Sequence, residues 1–199
     1  MEASVTDAAL FATQLAMGFG LAATVGLRAF LPLFAAGMLA RFGYVDLGKS
    51  FEWMSSVPAL VVFGSAVVFE VLADKVPVLD HALHAVESFV KPVAGTLVAA
   101  SLFTNLDPVF AVTLGLIGGG TIAGAVHMAK GTTRLASTAV TGGLGTPFLS
   151  LFDDVLAIGG IVLAVLAPII AALIVLVLIV GGARLLFKHR RAVAATQPR

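Results

Sequence analysis

The sequence predicts an all-α fold: a polytopic helical membrane protein with broken or re-entrant helices and two candidate internal repeats. Three observations carry that reading. Of 199 residues, 59% are hydrophobic and only 12% charged, about half the charge of an ordinary soluble domain, so a water-soluble fold of this size could not hide the apolar surface. Charge-free runs at 8–27, 108–129 and 155–183 each reach the roughly 20 residues a helix needs to cross the hydrocarbon layer. Glycine and proline interrupt the apolar stretches, a pattern tolerated at membrane depth where broken helices line a cavity.

The first run follows Glu2 and Asp7 rather than a basic segment, and no small-residue cleavage pattern closes it, so a retained helix is expected rather than a removable signal peptide. Gly18, Gly20 and Gly26 interrupt it, and Arg28 with Pro32 punctuates a second apolar stretch that ends near Arg41. Residues 42–56 mix Asp46, Lys49 and Glu52 with Tyr44 and Trp53, as an interfacial loop with aromatic anchors does. A further span is expected over 57–76, closed by Pro77.

From 78 to 91 the polar residues Asp80, His84, Glu87 and Lys91 recur at helical spacing, which predicts a short amphipathic helix. The apolar stretch 92–104 is too short to span alone; it either re-enters or continues that helix. A span over 108–129 with a flexible Gly118-Gly119-Gly120 centre follows, then a polar step from Lys130 to Arg134 and a small-residue segment ending at Gly145. The final run, 155–187, would be about 50 Å long as one helix, so it must tilt, kink at Pro168 or project from the membrane.

The chain is expected to form one transmembrane domain over 1–199. Gly26-Leu27-Arg28 and Gly143-Leu144-Gly145 each precede a Phe-Leu-x-Leu-Phe stretch, which suggests repeats over 8–76 and 108–187 joined by an amphipathic connector, 78–104, as in many transporters. The abundance of Leu, Phe and Gly would also produce such a short match by chance. Arg184, Lys188, Arg190 and Arg191 follow the last apolar run, so the positive-inside rule puts the tail, 188–199, in the cytoplasm.

Charges inside apolar stretches mark the candidate site. Arg28 lies in a glycine-broken segment, where an unpaired charge costs several kcal/mol; Asp153 and Asp154 at the corresponding place in the second half, or Glu70 or Asp74, are its candidate partners. Glu70 and Asp74 share a helical face and could take up a proton or cation, whereas Lys75 beside them could neutralise one as a purely structural cluster. Lys130 and Arg134, four apart, could grip a phosphate or carboxylate, or simply anchor a cytoplasmic loop. Asp80, His84 and Glu87 form a weak metal-ligand set, for which a solvated polar face accounts equally well.

Cysteine is absent, which excludes disulfides, thiolate nucleophiles and Cys-ligated metals. No catalytic constellation or cofactor motif is discernible, so neither enzymatic activity nor a cofactor is expected. The basic tail is too short for a nucleic-acid module; membrane lipids, an anionic lipid or small solute, and a second copy of the chain are the expected partners.

The stretch 69–80, reading FEVLADKVPVLD, with FVKPVAG at 89–95 and HMAKGTTR at 127–134, resembles a bacterial membrane family catalogued only as a domain of unknown function. The resemblance covers most of residues 10–185 and implies a location in the bacterial inner membrane but no activity. The family's Asn-x-Ser-Pro-Glu-Pro-like segment is replaced here by Ala136-Ser137-Thr138-Ala139-Val140-Thr141-Gly142-Gly143, so no role resting on that acidic turn carries over. Together these features predict a small transporter or permease-like protein for an ion, small solute or anionic lipid. The alternatives are a non-transporting scaffold or lipid-binding protein and, less favoured, a lipid-phosphate enzyme.

Overall fold

The structure, a computed structural model, describes the backbone of residues 2–74, 77–142 and 145–195, and the side chains of 5–74, 85–142, 145, 148–182 and 184. Among the described residues every regular element is helical, so the chain is the all-α, polytopic membrane protein the apolar runs predict. Three helices are long and apolar enough to cross a membrane, at Val5–Leu27, Pro108–Thr141 and Phe148–Leu166, with a fourth crossing if one bent pair counts as a span.

Helix α1 (Glu2–Leu27) is the centre of the bundle. From Gly20 to Gly26 every residue is buried, as expected of a helix apolar on all sides. Its glycines set the spacing of its neighbours: a Cβ on Gly18 would press on Ala99, and one on Gly20 on Ala164 and Ala171. Lipid tails are as apolar as leucine, so helices associate here through close van der Waals packing of small residues.

Helix α2 (Leu31–Arg41) begins after a three-residue break and carries Pro32 in its first turn. A 3-10 turn, Lys49–Ser55, then meets α3 (Val57–Ala73) at 63°, with Ser56 capping the new helix through the Ala59 amide. Trp53 packs against Phe63 with ring centroids 6.1 Å apart and planes tilted by 48°, while Tyr44 is largely exposed.

Helix α4 (Pro77–Ser101) decides between the two readings of 92–104: that stretch continues the preceding helix, straight through Pro92. Proline forfeits one helical hydrogen bond, but the Pro92 carbonyl still accepts from the Thr96 hydroxyl at 2.8 Å. The chain then runs through α5 (Pro108–Leu114), a π-helical segment (Gly115–Gly120) and α6 (Thr121–Thr141). The apolar helix is therefore longer than 108–129, and the polar step at 130–134 lies on it rather than after it. Only Gly142, at φ 61°, ends it, in the left-handed conformation that glycine adopts without strain.

The glycine triplet is packed rather than flexible. Cβ atoms on Gly115 and Gly119 would run into the carbonyls of Thr96 and Gly95, so the π-helical segment and α4 touch backbone to backbone. Helices α7 (Thr146–Leu166) and α8 (Pro168–Ala195) divide the final apolar run at Ala167 and Pro168, the kink among the three options. Large apolar side chains such as Val61, Phe69, Phe148, Leu151, Leu166 and Val177 face outward, as a lipid-facing surface does.

Candidate functional site

The break between α1 and α2 leaves backbone groups that no helix satisfies. Their partners come from other elements. The Leu27 carbonyl accepts from Lys130 Nζ at 2.8 Å and Lys91 Nζ at 3.2 Å. The amides of Ala29 and Phe30 donate to the two oxygens of Glu70, at 2.7 and 3.2 Å. Cations thus sit at the C-terminal end of one helix and a carboxylate at the N-terminal end of the next, the signs favoured by the helix dipoles.

Arg28, between those two ends, is 1% exposed. Its Nη1 pairs with Asp74 Oδ2 at 2.6 Å and its Nε with Asp154 Oδ1 at 2.6 Å. Its Nη2 donates to Ser150 Oγ at 3.1 Å, and that hydroxyl donates to Asp74 at 3.2 Å. Arg134 pairs with Asp74 at 3.3 Å and Asp153 at 3.6 Å, and Lys130 with Asp153 at 3.2 Å. On the side nearer α3, Lys91 pairs with Glu87 at 2.8 Å, His127 Nδ1 lies 4.0 Å from the same oxygen, and Ser88 Oγ is 3.3 Å from His127 Nε2.

The result is one buried ionic layer drawn from the α1–α2 break, α3 and its C-terminal cap, α4, α6 and α7. Arg28, Lys91, Lys130 and Arg134 face Glu70, Asp74, Glu87, Asp153 and Asp154. Among the described residues, four cations against five carboxylates leave one excess negative charge when all are ionised and His127 is neutral. In a helical membrane protein such residues are costly, turn toward the protein interior and mark ion or substrate paths.

Arg28, Glu70, Asp74, Lys130, Arg134 and Asp153, the charges singled out in the sequence, all meet here. The structure gives Arg28 two carboxylates where sequence left the choice open. Glu70 and Asp74 take different partners: Glu70 accepts from the amides of the helix break, and Asp74 pairs with Arg28 and Arg134. Lys130 and Arg134 both face Asp153, at 3.2 and 3.6 Å.

Glu87 belongs to the layer through Lys91. Among the described residues no three His, Asp or Glu side chains group as a metal site; Lys75 and the side chains of Asp80 and His84 lie outside the described residues, as do Gly143 and Leu144 of the second Gly-Leu break and the tail side chains.

Lys91 was read only as part of an amphipathic polar face, and Ser150 was not picked out from the sequence. The i, i+4 spacing of Glu87 to Lys91 is a detectable ion-pair signal, and Ser150 stands four residues before Asp154 on the same helix. The three stretches that carried the family resemblance converge on this layer: 69–80 supplies Glu70 and Asp74, 89–95 supplies Lys91, and 127–134 supplies His127, Lys130 and Arg134. No curated protein and no solved structure matches the chain. A family model spans residues 15–188, including every charge in the layer, and the chain accordingly belongs to the family described as "Domain of unknown function (DUF4126)".

Proposed function

We propose that this protein is a small, non-enzymatic membrane transporter, permease-like in architecture, that carries an ion or small solute past the α1–α2 break. One observation carries the reading: a discontinuous helix whose two ends and intervening Arg28 are held by buried charges from four other helices. Secondary transporters build substrate and coupling-ion sites from such discontinuities. The excess carboxylate in the layer favours a cationic cargo, and the seating of Lys130 and Arg134 on Asp153 disfavours a phosphate.

The test is flux through purified protein in liposomes, with pyranine reporting protons and radiolabelled sodium, chloride and phosphate in parallel. Proton or sodium movement well above that of empty vesicles is expected, with at least a tenfold fall in Asp153→Asn. Folded protein that moves none of the four probes would sink the proposal. It would favour the second reading, a non-transporting scaffold, which draws support from the mutual pairing of the layer's charges.

The same reading sets the chain in a bacterial cytoplasmic membrane with the C-terminus inside, supported by Arg184, Lys188, Arg190 and Arg191 after the last apolar stretch. Since the chain holds no cysteine, single cysteines introduced at Ala194 and at Asp107 report topology without background. A membrane-impermeant maleimide applied to intact cells should leave the position-194 cysteine unlabelled until the cells are opened. Labelling of that site in intact cells would reverse the orientation.

A further inference from the structure

Two carboxyl groups of the ionic layer meet each other directly. Glu70 on α3 and Glu87 on α4 are joined by a side-chain hydrogen bond, and they are 1% and 5% exposed. The α1–α2 break brings them together: Glu70 accepts from the amides of Ala29 and Phe30, while the Lys91 ammonium that pairs with Glu87 donates to the Leu27 carbonyl. An ionised carboxylate has acceptors only, so a hydrogen bond between two carboxyl groups contains a proton that neither carries when both are charged.

The wiring around the pair supplies no other proton for that contact. The amides of Ala29 and Phe30 take one Glu70 oxygen each, and Lys91 takes Glu87 Oε2. Among the described residues Glu87 Oε1 receives no N–H, and the Glu70 carboxyl is what it meets. The other charges that face the pair are Arg28 at the break, near Glu70, and Lys130 and His127 on α6, near Glu87. Arg28 and Lys130 also hold aspartates, so among the described residues Lys91 is the cation bonded to the pair. One shared proton sets four carboxylate charges against the four cations of the layer, with His127 neutral. That balance removes an uncompensated buried charge, which is costly.

We propose that Glu70 and Glu87 form a proton-binding pair that holds one proton at neutral pH. The proton belongs to the pair rather than to either residue, as in other carboxyl pairs that share a site. In the transport reading this is where a carried proton rests, yet the inference does not use transport: a proton that is held and never moved satisfies it, so the flux experiment and this one can fail separately. The competing seat for the same positive charge is the His127 ring, 4.0 Å from Glu87, and a charged His127 leaves both glutamates ionised.

The chain holds four glutamates, at 2, 52, 70 and 87. Glu2→Gln and Glu52→Gln together, with a heavy isotope on the glutamate carboxyl carbon, therefore make the infrared bands of this pair readable alone, in folded protein in lipid nanodiscs with the ion pairs intact. At neutral pH one labelled carbon should give the carbonyl stretch of a protonated acid and the other the stretch of a carboxylate. Glu87→Gln should then abolish the acid band and leave Glu70 ionised, because the glutamine amide donates in place of the proton; Glu70→Gln gives the reciprocal loss if that variant does not fold. Two labelled carboxylates, two labelled acids, or an acid band that persists in folded Glu87→Gln would overturn the proposal.

Discussion

Replacing Asp74 with asparagine should destabilise the protein by about 3–5 kcal/mol, the cost of removing one partner from a buried ion pair. Asp74 Oδ2 faces Arg28 Nη1, Arg134 Nη2 and the Ser150 hydroxyl together. The asparagine keeps the size but not the charge, and Arg28 is left with Asp154 alone among its ion pairs. A large drop in the melting temperature of detergent-solubilised protein, followed by size-exclusion chromatography of heated samples, is the expected result. The double variant Asp74→Asn, Arg134→Gln should lose less than the sum of the single losses, because the second change removes a cation the first left uncompensated. Additive losses, or an Asp74→Asn protein as stable as the parent, would contradict the ion-pair geometry.

Gly95→Leu should be at least as damaging, for a reason unrelated to charge. A Cβ at Gly95 would stand 2.5 Å from the Ala123 methyl and 2.7 Å from the Gly119 carbonyl oxygen. Overpacking in a core costs roughly 1–3 kcal/mol when side chains can yield; a backbone carbonyl cannot, so α4 and the π-helical segment must separate. The expected outcome is loss of a monodisperse species at ordinary temperature. Gly159→Leu, where nothing lies within 4 Å, should behave as the parent, which makes it the control. A stable, monodisperse Gly95→Leu protein would show that the helices are not in backbone contact.

Six charges of the ionic layer were legible in the sequence and its wiring was not. Arg28, Glu70, Asp74, Lys130, Arg134 and Asp153 stand out because charges in apolar stretches demand an explanation. Their partners lie far along the chain, Arg28 and Ser150 by 122 residues, and no local pattern encodes such a pairing. The helix break at 28–30 was announced by Gly26, Arg28 and Pro32 on one short stretch. Pro92 left two readings open, a boundary before a re-entrant stretch or a continuing helix, and α4 passes through it. Gly118 to Gly120 read as a flexible centre, whereas close packing requires small residues there: Gly118 lies against Phe19 of α1, and Gly119 and Gly120 against α4.

The α1–α2 break also orders events in time. The carboxylate that seats its amides is residue 70, the lysines on its carbonyl are residues 91 and 130, and the second carboxylate on Arg28 is residue 154. A nascent chain that has made only its first two helices holds a bare arginine and open backbone groups, with no partner yet synthesised. That turn must stay hydrated, at the membrane surface or in the insertion channel, until the sixth and seventh helices emerge. Biogenesis therefore closes a long wait: the α1–α2 break is made before every one of its partners and is locked in place only after residue 154 has followed it.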